Sequence, residues 1–196
     1  MESEHDACGG PDSDAQLSKA ADDPSAFTPL VEQHSAALHG YFARRAPVAA
    51  DDLLAETWLQ AFAARRTFDA SRGSARGWLF GVARNVLAGH VRRTARTEAL
   101  PGGQVTDPWQ AVDQRLDAAA LAPVLRIALA ELPEAEREVL LLVSWEQLTP
   151  AEAAAAVGIP TGTARSRLHR ARARLRERLT ASPLVGRGLT VTGELA

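Results

Sequence analysis

The 196-residue sequence has one cysteine, one lysine and few aromatics, with Phe, Trp and Tyr at 5% of positions. With Cys8 alone, neither an intramolecular disulfide nor a thiolate cage for a metal is possible. His5 and Cys8 offer two ligands without a companion pair, whereas a structural zinc site takes four, so no metal is expected. No apolar run approaches the roughly 20 residues that cross a bilayer. No signal-peptide pattern opens the chain. A soluble, cytoplasmic protein of a reducing compartment, with no direct membrane insertion, is the expectation. Strand-period segments and internal repeats are missing as well, so the fold class is expected to be all-α. Catalytic signatures are equally sparse: there is no nucleophile–base pair, no ligand cluster and no glycine-rich phosphate loop. His34 and His39 share a predicted helix, but no carboxylate or cysteine stands at a telling spacing. The sequence therefore points to a binding protein, not an enzyme, with no cofactor and no small-molecule substrate.

What is present is arginine, and it is unevenly placed. The formal net charge is −2. Residues 1–25 hold seven acids and one base, Lys19, so the remainder is net basic. Positive charge gathers at 84–96 (Arg84, Arg92, Arg93, Arg96) and at 165–178, where seven arginines face one acid, Glu177. Two basic clusters separated in sequence matter more for partner choice than the total.

The second cluster has a recognisable frame. Thr149, Pro150 and Glu152 occupy the N-cap, first and third helical positions of a capping box. Ala153, Ala154 and Val157 follow as a short apolar face, and Gly158 is placed to end the helix in a left-handed turn. Ile159 fills the angle, and Thr161 or Thr163 is positioned to cap the next helix. Ala164, Leu168, Ala171, Leu175 and Leu179 then recur at spacings of three and four, forming one buried stripe. Arg165, Ser166, His169 and Arg170 lie off that stripe in the first turns. This is a helix-turn-helix, whose second helix enters the DNA major groove. The competing reading is a solvated amphipathic helix of a bundle.

Upstream, residues 1–25 carry almost no large apolar side chains and read as a disordered acidic leader. A predicted helix from Thr28 carries Leu30, Val31, His34, Leu38, Tyr41 and Phe42 and stops before Pro47. Asp51 is expected to cap a second helix bearing Leu53, Leu54, Trp58, Ala61 and Phe62. After the loop FDASRGS (68–74), a third helix presents Trp78, Leu79, Val82, Ala83, Val86, Leu87 and Val91. These make a small bundle over 26–96. Pro101, Gly102, Gly103 and Pro108 argue for a flexible linker over 97–120. A second helical unit spans 121–180 and ends in the helix-turn-helix, and 181–196 reads as a flexible tail. The expected architecture is two small helical domains, an N-terminal bundle and a C-terminal helix-turn-helix domain, joined by a tether. Two basic surfaces on tethered domains suit a bivalent grip on nucleic acid, each weak and salt-dependent alone.

Four stretches together resemble the extracytoplasmic-function sigma factors, the two-domain initiation subunits of bacterial RNA polymerase. They are DDLLAETWLQAF (51–62), GWLFGVARNVLAGHVRR (77–93), ALAELPEAEREVLLL (128–142) and GIPTGTARSRLHRARARLRERL (158–179). The resemblance covers about residues 26–180. It implies a polymerase-binding surface at Asp52, Glu56 and Trp58. It implies minus-ten promoter contacts at Arg84, Asn85, Arg92 and Arg93, with Asn85 near a pocket for a flipped base. It implies minus-thirty-five contacts at Arg165, Ser166, His169 and Arg170. The implied partners are core RNA polymerase, promoter DNA and an anti-sigma factor. A stacked base hides its pairing edge, so reading a melted strand requires unstacking. Arginine entering the major groove discriminates guanine edges by roughly 1–3 kcal/mol per bidentate contact. Two positions depart from the family pattern: Ala55 stands where glutamine is frequent, and Val143 where an arginine often precedes the helix-turn-helix. The acidic leader reads as an addition to the pattern, able to fold over a basic cluster and screen it. The other reading of the whole chain is a free-standing regulator with a ligand-sensing N-terminal domain. Residues 51–62 separate the two, since a sensor needs a roomy apolar pocket and a sigma factor an exposed acidic-aromatic strip.

Overall fold

The computed structural model describes residues 11–98 and 122–181, and among these every regular element is a helix. The order is α1 (Pro11–Lys19), α2 (Thr28–Arg45), α3 (Ala50–Ala64), α4 (Ala75–Glu98), α5 (Ala122–Ala130), α6 (Glu134–Ser144), α7 (Pro150–Val157) and α8 (Thr161–Ala181). Short 3-10 turns at Pro24–Phe27, Pro47–Ala49 and Arg65–Thr67 link the first helices. Nearly all of the expected 97–120 linker, the tail beyond 181, His5 and Cys8 lie outside the described residues.

The periodic apolar residues of the sequence become the bundle core. Leu30, Leu38, Tyr41 and Phe42 of α2 meet Leu53 and Ala61 of α3 and Leu79, Phe80, Ala83 and Val86 of α4. Tyr41 sits edge-on to both Phe42 and Phe80, with ring centroids 5.2 and 5.8 Å apart. Such edge-to-face pairs align the positive rim of one ring with the negative face of the next. The smaller core gathers Leu129 and Leu132, Val139, Leu140 and Leu141 of α6, Ala154 of α7, and Ala164, Leu168 and Ala171 of α8.

Two expectations need correction. First, the acidic segment is not wholly a disordered leader. Residues 11–25 form α1 and a turn, with Leu17 and Ala20 fully buried in the bundle core. Averaged composition hid two well-placed apolar groups. Acids of this segment act as caps: Asp14 accepts from the Ala75 amide at the start of α4, and Asp23 from the Ser25 amide. Arg65 and Arg66 reach back to the carbonyls of Ala20 and Ala21. Second, Asp51 does not cap α3. The helix begins at Ala50 without a side-chain cap, and Asp51 and Asp52 stand in its first turn, where the positive end of the helix dipole favours them. The arrangement of the two helical units, which the sequence leaves open, is a packed one. Leu142, Leu148, Ala153 and Ala156 of the C-terminal unit are buried in the N-terminal core. This explains the continuous apolar run Leu140–Val143 in α6: that helix is covered on two sides.

Candidate functional site

The helix-turn-helix is built as its capping chemistry dictates. Thr149 Oγ1 accepts from the Glu152 amide, and the Glu152 carboxylate accepts from the Thr149 amide at 2.8 Å, satisfying two otherwise orphan donors. Gly158 ends α7 at φ 74°, a left-handed conformation that costs glycine no Cβ clash. Its amide and that of Ile159 then bond back to Ala155 and Ala154. The next helix opens at Thr161, and the Pro160 carbonyl takes its first backbone bonds, from Thr163 and Ala164. Ala164, Leu168 and Ala171 are buried and Leu175 half-buried, so the stripe faces α6 and α7.

That orientation leaves Arg165, Ser166, His169 and Arg170 exposed on one face, with Arg172 and Arg176 extending it along the helix. Ser166 Oγ is turned back onto the Gly162 carbonyl. Arg170 is anchored: its Nε donates to Glu136 at 2.9 Å, and Arg174 lies 3.6 Å from the same carboxylate. Arg178 pairs with Glu131 in the same way, at 2.6 Å. Acids of α6 and of the turn before it thus fix one flank of α8 and leave the Arg165–His169 flank open. The sequence pattern did not mark these acids, because their partners lie more than thirty residues away.

The four candidates on α4 do not form one cluster. At about 100° per residue, Asn85 and Arg92 share a side of the helix, whereas Arg84 and Arg93 project on roughly opposite sides. Asn85, Arg92 and Arg93 are exposed. Arg93 donates to Glu56 of α3 at 3.1 Å. Arg84 is half-buried and ion-paired with Glu138 of α6, whose hydrogen bond holds its guanidinium above the ordinary pKa. One candidate base-strand contact is therefore already engaged by the C-terminal unit. Trp78 packs edge-on to Phe68, with centroids 6.0 Å apart.

On α3, Asp52 is exposed and Glu56 partly so, but Trp58 turns inward. Its indole N–H donates to Ser35 and its ring stands edge-on to Phe27. The apolar group that faces outward one position later is Leu59, 74% exposed, with Phe62 beside it at 39%. Asp52, Glu56 and Leu59 follow i, i+4, i+7 spacing and so share a face. Sequence reading placed Leu59 neither on the apolar stripe of this helix nor on its polymerase-facing strip. Among the described residues, no group of three or more His, Cys, Asp or Glu side chains is placed to hold a metal, and no helix is long and apolar enough to cross a membrane.

Two family profiles match the chain: Sigma-70 region 2 over residues 30–97, and Sigma-70, region 4 over residues 124–175. The ECF RNA polymerase sigma factor SigC of Mycobacterium tuberculosis is 40% identical over 126 residues, covering 63% of this chain and 66% of that protein. The ECF RNA polymerase sigma factor RpoE of Cereibacter sphaeroides is 32% identical over 168 residues, covering 81% and 88%. The chain thus spans just under two thirds of the SigC relative. Two solved structures are similar at 26% identity. CnrH in complex with the cytosolic domain of CnrY gives a TM-score of 0.59, covering 87% of this chain and 99% of that one. The sigma factor RpoE in complex with the anti-sigma factor NepR from Bartonella quintana gives 0.58, covering 80% and 98%.

Proposed function

Because the chain belongs to the extracytoplasmic-function sigma factors, we propose that it binds core RNA polymerase in the cytoplasm and directs promoter-specific transcription initiation, catalysing no reaction of its own. The carrying observation is the capped helix-turn-helix with Arg165, Ser166 and His169 open on α8. A surface so rich in guanidinium requires an anionic partner or water, and a major groove supplies both phosphate and guanine edges. In this reading the domain at 121–180 takes the minus-thirty-five element through Arg165, Ser166, His169 and Arg170. The domain at 26–96 takes the minus-ten element through Asn85, Arg92, Arg93 and, once released, Arg84. Asp52, Glu56 and Leu59 form the polymerase-facing strip, with Trp58 setting the orientation of α3 from below. A ligand-sensing bundle fits less well, since the rings of Tyr41, Phe42 and Phe80 fill the bundle centre. An anti-sigma partner is part of the proposal, because two similar structures hold their sigma-like chains in complexes, one with a protein named as an anti-sigma factor.

Run-off transcription with purified core polymerase tests this. The template is a promoter mapped upstream of start sites that rise on overexpression. The wild-type chain should yield a start-site-specific transcript that core alone does not. Arg165→Ala should weaken the minus-thirty-five-dependent signal by about five- to a hundredfold, equivalent to about 1–3 kcal/mol. Leu59→Asp should abolish capture of core while leaving the helical spectrum intact. No transcript above the core-alone background would overturn the reading.

A further inference from the structure

The arginines of α8 do not form one undivided basic surface. Arg170, Arg174 and Arg178 recur every four residues, and each meets an acid of the corner between α5 and α6. Arg165, Arg172 and Arg176, with His169 among them, follow the spacing i, i+4, i+7, i+11 and line the other shoulder of the helix. Along the crest between the two rows, Gly162, Ser166 and Ala173 carry small groups or none, and Ser166 Oγ is folded back onto the Gly162 carbonyl. A low crest lets the shoulders project past it.

Glu136 differs from the other acid of this corner. Glu131 stands in the turn after α5 and is largely open to water, where an ion pair adds little. The Glu136 side chain is only 8% exposed. It belongs to the first turn of α6, where the helix dipole favours a carboxylate, and its amide is tied to the Pro133 carbonyl. This fixed acid accepts from Arg170 through Nε at 2.9 Å, while the Arg170 side chain stays 53% exposed. Holding Nε sets the plane of the guanidinium and leaves the end of the fork, its two Nη groups, for a second partner. That end matches the O6 and N7 acceptors of guanine. Arg174 Nε lies 3.6 Å from the other Glu136 oxygen, so one carboxylate stands between two guanidiniums and the flank remains net positive. An arginine anchored in this way loses less freedom on binding than one that must order its whole side chain at that moment.

We propose that Glu136 is a positioning residue for promoter reading: it holds the Arg170 guanidinium in one plane, so that the end of the fork selects guanine at one base pair of the minus-thirty-five element. The inference rests on the sigma-factor reading of α8. Run-off transcription by the assembled holoenzyme, from templates randomised across the minus-thirty-five element, gives the preference at each base pair. The wild type should show a guanine preference at one pair that Arg170→Ala removes. Glu136→Gln keeps the size and an acceptor oxygen but not the charge. It should cut that same preference at least about fivefold, the lower end of what one bidentate contact is worth, and leave the preferences at other pairs in place. Arg170→Lys should lose it as well, since an ammonium keeps the charge without the fork. Joining Glu136→Gln to Arg170→Ala should do no more than Arg170→Ala alone, because both act on one contact. Glu131→Gln, which breaks the exposed pair with Arg178, should alter no preference. A second measurement needs no variant of Glu136: in the nitrogen-15 spectrum of the free full-length chain, the Arg170 Nε–H should be ordered and protected from exchange, and that of Arg165 mobile. A Glu136→Gln holoenzyme that transcribes uniformly less with its guanine preference intact would reduce Glu136 to a tie between helices and overturn the proposal. An Arg170 Nε–H as mobile as that of Arg165 would overturn it too. No transcript above the core-alone background overturns the sigma-factor reading and this inference with it, whereas a promoter-specific transcript whose preferences ignore Glu136 overturns this inference alone.

Discussion

The two helical units reach a packed interior by different means. The N-terminal bundle builds around large rings, with Phe27, Tyr41, Phe42 and Phe80 buried among leucines, and its longest helix runs 24 residues. The C-terminal unit closes instead through small side chains. Ala154, Ala164 and Ala171 let α7 and α8 approach, and the fully buried gaps are filled by Leu and Val, with Trp145 and Ile159 packed at the margin. A unit of about 60 residues buries a modest share of its unfolded surface. This one adds to that share by placing Leu142, Leu148, Ala153 and Ala156 in its neighbour's core. The larger core is thus shared, while the smaller one is built from the C-terminal unit alone. That suits a module whose outer face must stay polar and basic.

Leu148 is the sharpest point of that asymmetry, since it belongs to one unit and is buried with the other. Leu148→Ala should destabilise the full chain by about 2–4 kcal/mol in urea unfolding, the usual cost of deleting buried methyl groups. An effect under about 0.5 kcal/mol would mean that the two cores do not share this residue. Asp14→Ala should cost about 1 kcal/mol by removing the side-chain acceptor at the start of α4. Unchanged stability would return α1 to the status of an acidic appendage. A third effect appears only as pH falls. His34 is buried between α1 and α2 with Nε2 3.3 Å from Ser13 Oγ, and burial, aided by the charge of Arg76, lowers its pKa to about 4. The unfolded chain takes up a proton between about pH 6.5 and 4 that the folded chain refuses. His34 therefore does not alter stability above about pH 6.5, and its contribution is lost as pH falls through that window. His34→Gln should flatten this part of the urea-midpoint profile between pH 7 and 4.5, and an identical slope would remove His34 from the account.

Local chemistry was readable from the chain and long-range pairing was not. The capping box at Thr149 and Glu152, the left-handed Gly158 and the Ala164–Leu168–Ala171 stripe are each set by neighbours within four residues, so spacing alone disclosed them. Glu146, Arg44 and Arg45 look like ordinary solvated charges in sequence. Their burial depends on partners a hundred positions away. Gly77 reads as a weak point of a helix until α7 lies against it. Asp14 and Leu17 were obscured because acids surround them, although one caps a distant helix and the other fills the core. Leu59 went unmarked because it lies off the apolar stripe, where a single leucine carries no spacing signal.

The central claim is that promoter recognition emerges only when polymerase holds the two units at their working separation. The most direct measurement is the affinity for one promoter duplex, by fluorescence anisotropy across a salt series, of the purified chain alone and of the chain assembled with core polymerase. The account predicts weak, steeply salt-dependent binding by the free chain and a gain of at least about a hundredfold in the assembly. Tight, sequence-specific binding by the free chain at physiological salt, unimproved by polymerase, would contradict it.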